Sequence, residues 1–427
     1  MDDLPFLDLN APTFSTRSEA VRAARAAHWC ARTPYGVAVL RYRQAGKILR
    51  DRRFRQGSFA WPKTIGLRGS FADFWSRSII ALEGAPHKAL RHVAQSALSE
   101  AFILSLCPQF EAHAEQLLAP HLEPVLFNQK QGPFKFAFEA KPRGSEFEFN
   151  LTKHALAGAG FDFVTGFSEP FAGRAITALL RLPDSEAPTL ARDASTLGLA
   201  MGLNAKAFEA EVNAACSRLL ALADRLIDRA LSGQDQDSFV ARALSALCAA
   251  GPLDRVALKD LIVISIFGGV DTTRAQLAFA VALFIEHPDQ WRMLCDMPDL
   301  IPQAVEEVVR TWPTTTWSTR YATEDVEMDG TLLPAGTTVH IFVHASATDP
   351  SSAPWQGFDI SVKRRAHFGF GGGAHHCLGQ FVARTDMACA LKVLTRHVTR
   401  FEWAGTPEYL PDSGNTSPVS LPIRLIR

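Results

Sequence analysis

Four of the ten residues before Cys377 are glycine, in the run His367-Phe368-Gly369-Phe370-Gly371-Gly372-Gly373-Ala374-His375-His376-Cys377. Glycine loses more conformational freedom on folding than any other residue, so this density predicts backbone lying close against something flat or bulky. Helical spacing follows from Leu378 to about Val398 and places Cys377 at a helix N-terminus. There the dipole and free N–H groups favour the thiolate, the form that ligates metals. A zinc site from His375, His376 and Cys377 would crowd three adjacent ligands together, whereas zinc sites space theirs by two or more residues. A phosphate loop needs Lys and Ser/Thr after the glycines, and neither is present. The loop alone supports a metal or haem ligand at Cys377.

The rest of the chain narrows the class. Lys+Arg and Asp+Glu are both 44, which speaks against nucleic acid or an anionic membrane as a bulk partner. No run of about 18 apolar residues predicts a membrane-spanning helix. The start, Met1-Asp2-Asp3-Leu4-Pro5, lacks the apolar stretch of a secretory signal. Seven scattered cysteines without a CxxC pair argue against a disulfide framework, and a reducing cytoplasm fits best.

Apolar spacing predicts helices over 17–28, 87–100, 108–119, 205–232, 254–287, 289–296, 301–311 and 378–397. Short strands are expected over 36–41, 325–333, 337–343 and 421–426. Residues 1–427 thus read as one mainly α domain with a minor β part. Alternation from Phe134 to Glu139 and again from Glu146 to Phe149 predicts an inserted β-hairpin within 126–155. Within the segment 254–287, Asp254 is placed to cap the helix, and Gly268-Gly269-Val270-Asp271-Thr272 stands near its middle. Two adjacent helix glycines cost about 1 kcal/mol each relative to alanine, which suggests tight packing or a kink. Taken alone, the stretch also reads as a loop before an Asp N-cap.

Phe370-Gly371-x-Gly373-x-His375-x-Cys377-x-Gly379 resembles the haem-binding signature of the cytochrome P450 family, with every fixed position met. The resemblance implies a soluble bacterial-type haem-thiolate fold, with haem b between a long central helix and the cysteine loop. Cys377 would be the iron ligand, Phe370 would pack on its side of the haem, and Gly371 and Gly379 complete the loop. His375 would touch a haem propionate. Asp271 and Thr272 match the family's acid–alcohol pair, Asp271 passing protons inward and Thr272 hydrogen-bonding the activated oxygen. Glu307 and Arg310, three apart on one helix face, match its structural Glu-x-x-Arg pair, with Glu306 a near-miss. His87, Arg91 and Arg320 match the propionate-binding cations.

Two features depart from the pattern. Ala347-Thr348-Asp349-Pro350 replaces the usual Asn-Arg-Asp-Pro, and Val362 stands where an arginine normally braces the Glu–Arg pair. Lys363, Arg364 or Arg365 would then take over that bracing. The same three residues are candidate contacts for an acidic electron donor.

The implied activity is a monooxygenase acting on a small to medium, mostly apolar or aromatic substrate, by hydroxylation or O-demethylation. Ile79, Ile80, Phe267, Gly268, Thr316 and Trp317 are the candidate pocket, and Thr314 to Thr316 could add a hydrogen bond. The sequence has no nucleotide or iron–sulfur motif, so electrons would come from external NAD(P)H through a reductase and a ferredoxin, with O2 as co-substrate. A monomer is the default. A peroxide-driven enzyme of the same fold and a non-catalytic haem sensor stay open as alternatives, and Asp271-Thr272 argues against the first.

Overall fold

The computed structural model describes residues 3–122, 160–202, 204–351 and 357–427. The hairpin expected within 126–155 lies outside the described residues.

The apolar spacing becomes helix almost where expected: α1 (Glu19–Ala27), α2 (Tyr42–Ile48), α3 (Ser70–Arg77), α4 (Gly84–Ala97), α5 (Cys107–Leu122), α6 (Glu169–Leu180), α7 (Ala187–Gly198), α8 (Glu209–Leu231), α9 (Phe239–Ala250), α10 (Arg255–Glu286), α11 (Pro288–Asp296), α12 (Ile301–Thr311) and α13 (Gln380–His397). Of these, α2, α3, α6, α7 and α9 were not expected. The physical reason is clearest for α6, which is buried from Phe171 to Leu180 save for Arg174 and so has no polar face to mark a period.

The strands β1 (Cys30–Thr33), β2 (Gly36–Val39), β3 (Phe54–Gln56), β4 (Trp317–Ala322) and β5 (Thr338–Phe342) form a sheet in the order β1-β2-β5-β4-β3. Strand β2 pairs parallel with β5, and the other pairs are antiparallel. The segment 325–333 is not one strand but a hairpin, Val326–Met328 against Thr331–Leu333. Asp329-Gly330 turns it, with φ of 48° and 80°, as tight hairpin turns require.

Helix α10 threads the main core. Asp254 caps it, its carboxylate accepting the Ala257 N–H at 2.9 Å. The helix runs unbroken through its glycine pair. A Cβ on Gly269 would stand 2.3 Å from Ile176 Cδ1, so this glycine lets α6 approach closely. Of the two alternatives, packing rather than a kink explains it.

One buried carboxylate ties α12 to the segment leading into the cysteine loop. Glu307 accepts from Arg310 Nε at 2.6 Å, Arg310 Nη2 at 2.7 Å, the Asp359 N–H at 2.9 Å and Arg364 Nη2 at 3.2 Å. Arg310 also reaches the carbonyls of Gly357 and Ala347. Arg364 therefore takes the place left by Val362. With its side chain only 11% exposed, Arg364 is not available to a docking protein, which corrects that part of the expectation. Lys363 and Arg365 are exposed. Ala347 contributes through its backbone, so losing a longer side chain there leaves the contact intact.

Removing one partner of a buried ion pair strands the other in low dielectric. Arg310→Ala is expected to cost about 3–5 kcal/mol in a denaturant titration, and Arg364→Ala less.

Candidate functional site

The cysteine loop is closed by two backbone bonds, Gly371 N–H to Phe368 O and Cys377 N–H to Phe370 O, both 2.8 Å. Gly373 sits at φ 68°, and a Cβ there would meet the Leu49 carbonyl oxygen at 1.9 Å. Only glycine allows the loop to lie on the end of α2 in this way. Helix α13 starts at Gln380 with Gly379 as N-cap, two residues later than expected. Cys377 thus stands just ahead of the helix, with the amides of Gly379 and Gln380 placed to favour its thiolate. Burial pushes the thiol above its ordinary range, opposed by those amides and by the guanidiniums of Arg384 and Arg91. The cysteine is enclosed by protein yet accessible, so it faces internal space.

Beneath the loop, the near-miss Glu306 has its own task. It pairs with Arg384 Nε at 2.5 Å and lies 3.3 Å from His367 Nε2. The Arg384 guanidinium lies over the Phe370 ring, 4.2 Å from its centroid. Burial would raise the Glu306 carboxyl, but His367 and Arg384 outweigh it and hold it down to about 2. Two adjacent glutamates therefore brace different parts: Glu307 the approach to the loop, Glu306 the loop's own arginine and aromatic ring.

Between Asp260 and Phe284, every residue of α10 is buried except Ser265, Gly268, Gly269 and Thr272. Their spacing of three, one and three makes a single stripe. A Cβ on Gly268 would meet nothing within 4 Å, and the same is true of Gly379. The Thr272 hydroxyl donates to the Gly268 carbonyl, and Ser265 donates to Leu261 O at 2.7 Å. Beside them, Asp271 is buried and pairs with Arg274 Nη2 at 2.9 Å. Arg274 Nη1 reaches the Pro418 carbonyl at 3.3 Å, and a Cβ on Gly198 of α7 would stand 3.1 Å from the Asp271 carboxylate. Thr273, the next residue, donates to buried Asp386 of α13 at 3.1 Å.

The cations expected to hold carboxylates cluster in part. The rings of His87 and His375 lie 4.2 Å apart. Arg320 is buried, donating to the carbonyls of Thr319 at 3.0 Å and Gly372 at 3.2 Å. Burial pushes its guanidinium down to about 10. Arg91 is half-buried and near enough to Cys377 to act on its charge. An accessible thiol, a helix stripe bare of side chains at Gly268 and a buried cation cluster together fit a flat, iron-bearing dianion such as haem.

The candidate pocket residues divide. Ile79, Ile80 and Phe267 are part of the main hydrophobic core, and Gly268 opens onto space. Thr316 is buried with its hydroxyl on the Ser413 carbonyl, and Thr314 Oγ1 donates to Thr416 O at 2.7 Å, so neither has a proton left for a substrate. Trp317 is no pocket residue: it stacks on Phe342, ring centroids 5.6 Å apart, in a separate cluster. Strand alternation explains this, because Arg320 reaches the cysteine loop from β4 and the odd-numbered Trp317 must face the other way. Ser265 was missed, although its place seven residues before Thr272 puts it on the same helix face.

The cytochrome P450 family model matches residues 289–425. Over 99% of this chain and 96% of the relative, the sequence is 33% identical to luteothin monooxygenase of Streptomyces thioluteus. It is 32% identical to nocardicin C N-oxygenase of Nocardia uniformis subsp. tsuyamanensis over 67% of this chain and 72% of that one. The crystal structure of CalO2 superposes with a TM-score of 0.79 at 25% identity, covering 97% of this chain and 98% of that one.

Two outcomes follow from the loop. Gly373→Ala meets backbone, so the expected result is a loss of at least about 1–3 kcal/mol in thermal unfolding together with poorer haem retention. Glu306 has a folded-state pKa depressed from 4.5 to about 2, so its stabilisation is complete above pH 4.5 and disappears as pH falls toward 2. Unfolding midpoints of wild type and Glu306→Gln should therefore differ most above pH 5 and converge as pH falls through that window.

Proposed function

This chain belongs to the cytochrome P450 family and is a monooxygenase, and we propose that it inserts one oxygen atom from O2 into a small to medium, mostly apolar or aromatic molecule, by hydroxylation or O-demethylation. Membership in the family brings haem, O2 and reducing electrons from outside the chain. The observation that carries the site assignment is exposed Cys377 just ahead of α13, in a glycine loop closed by its own N–H on the Phe370 carbonyl.

Cys377 would ligate the haem iron, and His87, Arg91, Arg320 and His375 would hold the haem carboxylates. The thiolate-ligated haem supplies the oxygen-activating chemistry. The protein's part is to place and protonate. Gly268 keeps the α10 face clear of side chains, and the Thr272 hydroxyl, whose proton goes to the Gly268 carbonyl, presents its oxygen there as an acceptor. Asp271 stands next to it with its carboxylate tethered to Arg274. Release from that tether would let Asp271 carry a proton to Thr272 Oγ1. The apolar side chains of Ile79, Ile80 and Phe267 are the residues that would favour an apolar substrate, and a relative is named for acting on luteothin. Among the described residues no helix is long and apolar enough to cross a membrane. Electrons would come from NAD(P)H through a reductase and a ferredoxin, with Lys363 and Arg365 as the docking cations that stay exposed.

The reduced, carbon-monoxide-bound protein is expected to show the red-shifted Soret band of a thiolate-ligated haem, and Cys377→His to lose it. A band at the histidine-ligated position in wild type removes the Cys377 assignment. In Thr272→Ala, product formed per NAD(P)H should fall by about tenfold or more while peroxide release rises. Unchanged coupling there, with peroxide-driven turnover intact, favours a peroxide-using enzyme.

A further inference from the structure

The turn before α4 carries a carboxylate that the haem site does not require. Glu83 is the N-cap residue of α4, yet its side chain makes no capping bond to that helix. Instead Oε1 accepts the Gln56 N–H from β3 at 2.6 Å and lies 3.2 Å from His375 Nε2. His375 is itself stacked on His87, and Glu83 is the carboxylate whose charge reaches buried Arg320. A side chain that gives up its local helix to reach into a cation cluster is held there by tertiary contacts.

We propose that Glu83 is a fixed anion built into the cradle for the haem carboxylates, where it holds down the reduction potential of the bound haem. The inference rests on the haem-thiolate reading above. Reduction adds an electron to the haem, and a nearby negative charge disfavours that addition. Burial would raise the Glu83 carboxyl, but the Gln56 N–H and the neighbouring His375 and His87 outweigh it and keep it below its usual range, so the charge is present at neutral pH. The cradle then sets the guanidiniums of Arg91 and Arg320, with His375 and His87 lowered by burial, against one resident carboxylate before haem contributes its own two.

The test is spectroelectrochemical titration of haem-loaded wild type, Glu83→Gln, Glu83→Ser and Glu83→Asp. Glu83→Gln keeps an acceptor for Gln56 without the charge. Glu83→Ser also removes the charge and adds a favoured N-cap, so α4 is not weakened. Both are expected to raise the ferrous-to-ferric ratio at a fixed applied potential by roughly threefold to tenfold. Glu83→Asp, which keeps the charge, should stay near wild type. Equal potentials in wild type, Glu83→Gln and Glu83→Ser overturn the proposal. So does an aspartate variant that shifts as far as they do, since shape and not charge would then matter. The carbon-monoxide spectrum of each protein separates the two levels: a wild type lacking the thiolate band overturns the haem-thiolate reading itself, whereas a normal band with unmoved potentials overturns only the role of Glu83.

Discussion

The Glu307 carboxylate is the contact on which the proximal half of the molecule depends. It sits almost without solvent, faces two guanidiniums and a backbone N–H, and draws together α12, the segment at 357–364 and the approach to the cysteine loop. A buried ion pair adds little net stability over an apolar substitute, but it tolerates no missing partner. Its value here is geometric. The arginines reach past Glu307 to the carbonyls of Gly357 and Ala347, so backbone groups with no ladder partner are satisfied and the chain enters the loop along one path. Glu306, one residue earlier on the same helix, then sets Arg384 over Phe370.

Much of this was legible in the sequence because it rested on spacing that backbone geometry enforces. The loop glycines announced close approach, and Gly373 lies against the carbonyl of Leu49. Asp254 was placed as a cap and caps. Glu307 and Arg310 could be paired from their three-residue separation. What escaped were features without a local signature. Helix α6 is buried nearly all round, so it shows no amphipathic period. The choice of Arg364 as brace among three successive basic residues depends on a tertiary contact 57 residues away. The hydroxyls of Thr314 and Thr316 looked available until the C-terminal loop supplied their acceptors. Trp317 looked like pocket because aromatic content does not reveal which face of a strand it occupies.

The distal half works by omission. Helix α10 is packed on nearly every side, and function enters at the few positions where side chains are small. The two glycines look alike in sequence but do different things: Gly269 yields to Ile176, and Gly268 yields to nothing within reach. Thr273, beside Thr272, is spent on Asp386 and so joins α10 to the helix that follows the cysteine. Both sides of the site are thus referred to one pair of helices.

The accessible stripe on α10 also sets a length. From Ser265 to Thr272 is seven residues, or about 10.5 Å along the axis. On either side of it, from Asp260 to Ile264 and from Thr273 to Phe284, the helix is buried. A rigid molecule lying along the stripe with its reacting atom at Thr272 has two helical turns of contact and must then turn away. The helix thus offers a surface of fixed length, and its limits lie in the size of the neighbouring side chains: replacing Leu261 or Gln276 by a small residue would extend the stripe by about one turn at either end.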